Sequence, residues 1–143
     1  MIGRPRGFGV IVGLLLILTV VTTLYWIAWF FLPASVQASN WECYMVFEQA
    51  FPLADAWLII TALIGTIGLW QRKDWGVLFG LLAGSAAIFL GLMDLLYDLE
   101  HGIFARLTAE SLIELVIVVY LLALGPAIIA YLWTRRRQLG LGG

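Results

Sequence analysis

Charge is scarce in this chain. Charged residues make up 12% of its 143 residues, against about a quarter in soluble domains. With hydrophobic residues at 63%, that shortfall excludes an ordinary soluble domain. The net charge of -1 says nothing about nucleic acid, and without a basic nucleic-acid patch no nucleic-acid partner is expected. Cys43 is the one cysteine. An internal disulfide, a CxxC redox pair and a cysteine-rich metal site are therefore excluded, and Cys43 reads as a small apolar residue at a membrane surface. His101 is the one histidine, which leaves nothing from which to argue a Ser/His/Asp triad. The Glu-x-x-His pairs of a di-iron bundle are missing as well. Without a glycine-rich nucleotide loop, a primary pump lacks its energy-coupling part.

What the chain does have is hydrocarbon in long runs. Four runs reach the roughly 20 residues that a helix needs to cross a bilayer: 8–32, 51–70, 75–99 and 109–133. The expected fold is all-α, an integral membrane four-helix bundle forming a single domain over residues 1–143. Pro52 suits the first turn of the second span, where its missing N–H costs nothing. Thr108 can cap the start of the fourth, and Gly102 suits the position just past the end of the third. The first run begins after RPRG, and VQA at 36–38 resembles a cleavage site. Its apolar length of about 25 residues nevertheless exceeds the core of a secretory signal, about 7–15 residues. It closes on Tyr25, Trp26, Trp29, Phe30 and Phe31, side chains of the kind that anchor a span at the interface, so it reads as a retained helix. Trp70, Trp75 and Trp133 read as anchors at the opposite edge.

The charges are sorted by side. Arg4 and Arg6 precede the first span, Arg72 and Lys73 join the second to the third, and Arg135, Arg136 and Arg137 follow the fourth. The positive-inside rule makes that side cytoplasmic, with both termini there, as in a bacterial inner membrane. The three closing arginines add some affinity for anionic lipid. Arg106 alone lies on the other side. The acids do the reverse: apart from Asp74, all lie toward the outer ends. The short connection QRKD makes the second and third spans an antiparallel hairpin. The outer connections, 33–50 and 100–108, are longer and more polar, and 139–143 reads as a tail.

The most informative stretch is GLMDLLYDLEHG, residues 91–102. Gly76, Gly80, Gly84, Ala87 and Gly91 follow one another at steps of three or four, so they share a helix face. Such small residues let membrane helices approach closely. The same steps continue to Asp94 and Asp98, which places those acids on the packing face at its outer end. Glu110 and Glu114, four apart, share a face that continues to Ile117, Leu121 and Gly125, just before Pro126. Asp55 lies one turn in from Pro52. Asp55, Asp94 and Glu114 sit deeper, with Glu48, Asp98, Glu100, His101 and Glu110 nearer the surface. The expected site is an outward-opening acidic pocket built on Asp55, Asp94, Asp98, Glu110 and Glu114, with His101 beside it.

Carboxylates so close repel one another, and unless protonated or paired they need a cation. A cation site is the first reading: a divalent metal, a proton or a cationic head group. Carboxylate oxygens suit calcium, magnesium or manganese, and His101 would admit zinc or iron. A plainer reading leaves the acids solvated at head-group level, with Asp94 hydrogen-bonded to a Trp or Tyr and His101 capping a helix end. Taken singly, Glu42, Glu48, Glu100 and Glu110 fit it better. A third reading is an accessory or scaffold subunit that forms a homo-oligomer or joins a larger membrane complex through the glycine face, with membrane lipid as its other partner. A fourth is an isomerase of lipid- or sterol-like substrates using a carboxylate pair. That one requires an apolar cavity beneath the acids, lined by spans two to four. No charge lies in the inner halves of the spans, which argues against a channel or carrier. The patterns FExxFPxxDxW and GLMDxxYDLxxG resemble the signature of a bacterial four-helix membrane family, a resemblance that implies no activity.

Overall fold

The computed structural model describes residues 4–32, 42–105 and 108–139. The elements are α1 (Phe8–Phe31), α2 (Glu42–Glu48), α3 (Pro52–Trp70), α4 (Asp74–Glu100), a short 3-10 turn (Ile103–Ala105) and α5 (Ala109–Arg135). Among the described residues there is no strand, so the protein is all-helical. Four helices are long and apolar enough to cross a membrane, α2 and α3 together counting as one. Their outward faces carry large exposed apolar side chains such as Leu24, Phe30, Phe89 and Val116. Water would penalise that surface and hydrocarbon accepts it.

The helix ends follow local chemistry. Pro52 opens α3. Thr108 accepts from the Ser111 N–H at 3.2 Å, and the Ser111 hydroxyl accepts from the Thr108 N–H at 3.0 Å. This reciprocal box satisfies two backbone donors that the first turn of α5 would leave unpaired. Gly102 follows α4 at φ 63°, in the left-handed region that glycine enters without steric cost. One part of the chain departs from expectation. The connection before α3 contains a helix, α2, which continues into α3 through a turn over residues 49–51.

The long helices pack in the order α1–α3–α4–α5, and α1 meets α5 less closely than any of these successive pairs meet. Glycine sets the approach of α4 to both its neighbours. A Cβ on Gly65 of α3 would lie 2.8 Å from the Gly80 N of α4, and one on Gly125 of α5 would lie 2.7 Å from the Gly84 O. Any larger residue there would push the helices apart. These α4 glycines are thus taken up against α3 and α5 within the chain. A second subunit would need a different surface.

The two ends of the bundle differ in chemistry. At one, the Arg4 guanidinium lies over the rings of Phe8 (4.8 Å) and Trp70 (4.6 Å), and the Tyr131 hydroxyl donates to the Arg6 carbonyl at 3.0 Å. The start of α1 and the ends of α3 and α5 therefore meet there, each close to arginine in sequence. Among the described residues, the acids other than Asp74 lie toward the other end.

Candidate functional site

The site begins with how α2 is held. Tyr44 and Glu48 are four residues apart, share a helix face and are both buried. The Tyr44 ring lies between Trp29 of α1 and Tyr97 of α4, at 6.2 Å from each. Phe47 stacks on Tyr97 at 3.9 Å with the rings 7° from parallel, and Tyr97 stacks on His101 at 4.0 Å. This aromatic pile fixes α2 against α4 and turns Glu48 inward, where it is 4% exposed.

Span one supplies the donors. The Tyr25 hydroxyl donates to Glu48 Oε2 at 3.2 Å, and the Trp26 indole donates from Nε1 to Asp55 Oδ2 at 2.8 Å. Trp26 and Trp29 are buried, whereas Phe30 and Phe31 are exposed. The aromatic cluster closing α1 is therefore not uniformly an interfacial anchor: Tyr25, Trp26 and Trp29 face the bundle, and only the two phenylalanines project outward.

A cavity of about 330 Å³ lies between α1 and α5, which pack on each other only sparsely. Val21, Thr22, Leu24, Tyr25 and Ala28 form one wall, and Ile113, Glu114, Ile117, Tyr120 and Leu121 form the other. Phe51 and the carboxyl groups of Glu48, Asp55 and Asp94 complete it. The lining is thus mostly hydrocarbon with four acids among it, one each from α2, α3, α4 and α5. The volume falls at the lower end of the about 300–1,000 Å³ of ligand pockets. This is not the cavity that the isomerase reading requires: the acids line it rather than lie above it, and span one forms one of its two main walls.

Of the six residues expected in the site, Asp55, Asp94 and Glu114 line this cavity together. Asp98 is buried behind it at 1% exposed, with charges near enough to act on Asp94 and Glu114. His101 is the basic side chain set against Asp98. Its ring also stacks on Tyr97, and its Nδ1 lies 2.9 Å from the Tyr97 carbonyl. The side chain of Glu110, like Arg106, lies outside the described residues. Glu42 and Glu100 are exposed as the solvated reading expects, but Glu48 is not. Asp55, rather than Asp94, takes the tryptophan hydrogen bond. Glu48, Tyr25, Trp26 and Tyr120 were not expected in the site, and one signal was available: Glu48 lies two helical turns before Asp55 in FEQAFPLAD.

Satisfaction is uneven. Glu114 is 3% exposed, and its Oε2 has no hydrogen-bond partner. The same holds for Asp98 Oδ2 and for the hydroxyls of Tyr97 and Tyr120. Buried polar atoms are seldom left this way in native proteins. Among the described residues, no three His, Cys, Asp or Glu side chains gather as a metal would require. Comparison of the chain with family models, with curated proteins and with solved structures found no match.

Proposed function

We propose that this chain is a small integral membrane protein that binds an amphiphile by its cationic head group. The head sits among Glu48, Asp55, Asp94 and Glu114, and the tail lies along the apolar walls of α1 and α5. One observation carries the reading: four acidic residues from four helices line a single, mostly apolar cavity. Acids in a low-dielectric setting strongly favour a positive partner. The scatter of those acids, with no three grouped as metal ligands among the described residues, favours an organic cation over a divalent ion. The arginine-bearing end is assigned to the cytoplasm of a bacterial inner membrane, with the acidic pocket opening outward. The lipid- or sterol-like isomerase is a second reading of the same cavity. It is favoured by Asp94 and Glu114 facing one apolar space, where one acid gives a proton and the other takes it.

Thermal unfolding of detergent-purified protein tests the proposal. The additives are dodecylamine, dodecanol, and divalent metals with and without chelator. A ligand that binds only the folded state stabilises it by about 2.7 kcal/mol at a hundred times its Kd. Dodecylamine is expected to raise the midpoint well above dodecanol in wild type, and Glu114→Gln to remove most of that rise. A rise with one metal, reversed by chelator and absent with the amine, would replace the head group by a metal ion. No rise with any additive would remove the cation reading altogether.

A further inference from the structure

The acid cluster is not the only unpaired polarity in the cavity. Tyr120 lines the same cavity as Glu114, and its buried hydroxyl also has no partner. Both residues lie on α5, six positions apart, or about 9 Å along the helix axis at about 1.5 Å per residue. The space between them is walled by Ile117, Leu121 and the α1 residues Val21 and Ala28. Two residues with unpaired polar atoms therefore line one mostly apolar cavity, their backbone positions about 9 Å apart along α5. Leaving a buried hydroxyl unpaired is unfavourable, and a phenylalanine at this position would avoid that cost.

We infer that the ligand is bipolar: its cationic head meets Glu114, and a second polar group, a hydroxyl or a carbonyl partway down its tail, meets the Tyr120 hydroxyl. This rests on the amphiphile reading and narrows it. A simple alkyl cation would satisfy Glu114 and leave Tyr120 unpaired. An amphiphile with a mid-chain oxygen satisfies both. The phenol can donate to a carbonyl or either donate to or accept from a hydroxyl, so the class includes both functions.

The test compares two probes, dodecylamine and a dodecylamine hydroxylated at mid-chain, titrated into detergent-solubilised full-length protein and followed by tryptophan fluorescence. Trp26 sits beside the cavity through its bond to Asp55 and supplies the signal. Wild type is expected to bind the hydroxylated amine about tenfold more tightly, the equivalent of about 1.4 kcal/mol. Tyr120→Phe is expected to erase that preference, so that the two probes bind the variant equally. Glu114→Gln is expected to weaken both probes. Equal affinity of the two probes for wild type would overturn the inference and leave the amphiphile reading standing, and so would a preference that survives Tyr120→Phe. Failure of wild type to bind either amine would overturn both. The wild-type comparison needs no variant to fold, and an unfolding midpoint of ligand-free Tyr120→Phe at or above that of wild type establishes that the variant is intact.

Discussion

The Trp26 indole N–H on α1 and the Asp55 carboxyl on α3 are joined at 2.8 Å, and this bond ties the most uniformly apolar helix to the acidic end of the bundle. Tyr25, its neighbour in sequence, reaches Glu48 from the same turn. Removing the indole donor leaves the Asp55 oxygen without that hydrogen bond in a partly buried setting. Trp26→Phe is expected to destabilise the protein by about 1–3 kcal/mol, the range for bonds to charged groups and for groups left unpaired. Denaturation in detergent measures it. A double-mutant cycle with Asp55→Ala should give a coupling above about 0.5 kcal/mol, whereas strict additivity would mean the bond contributes nothing.

Glycine substitutions should divide sharply by position. Gly125 meets the Gly84 carbonyl and the Ile88 side chain, so Gly125→Ala must shift α5 away from α4. Overpacking of this kind typically costs about 1–3 kcal/mol. A Cβ on Gly13 of α1 meets nothing within 4 Å, and alanine is the better helix former by about 1 kcal/mol. Gly13→Ala should therefore be neutral or stabilising in the same unfolding assay.

The single cysteine offers a test of sidedness without engineering. Cys43 is exposed and opens α2 at the acidic end of the bundle. A membrane-impermeant maleimide applied to intact cells should label it. Labelling only after the membrane is broken would place the acidic end in the cytoplasm and reverse the proposed orientation.

The Thr108 cap is separable from the site. Thr108→Ala removes the acceptor for the Ser111 N–H and is expected to cost about 1 kcal/mol. It should leave amphiphile affinity unchanged. A variant that loses binding while keeping most of its stability would link the start of α5 to Glu114 more closely than a local cap allows.

The long helices were legible because length and hydrophobicity alone demand them, and their ends because Pro52, Thr108 and Gly102 act through local backbone chemistry. The short helix α2 was not legible. It has seven residues, too few to display a period, and its hold on the bundle comes from contacts of Tyr44 and Phe47 with Tyr97, which is distant from both in sequence. The carboxyl groups of Asp94 and Glu114 could be placed from helical spacing, since each continues a row of side chains on one face. Helix α1 hid its role because it is apolar all round. No periodicity distinguishes its inward face, so Tyr25 and Trp26 looked like lipid anchors. The burial of Glu48 is hidden from the sequence for a similar reason: it depends on the aromatic pile that carries α2 inward.

The gap between α1 and α5 would give the proposed amphiphile a lateral way in. Val21, Leu24 and Ile113 line the cavity and are also exposed on the outer surface of the bundle. With the bundle in a bilayer, an amphiphile already dissolved in the hydrocarbon would slip in sideways and never cross water. Its relevant concentration is then its mole fraction among lipids, which grows steeply with tail length at about 0.8 kcal/mol per methylene. Two amphiphiles with the same head and different tails would differ in apparent affinity through partitioning alone. Dilution with detergent would lower occupancy at constant total ligand, so occupancy should follow the ligand-to-detergent ratio rather than molarity.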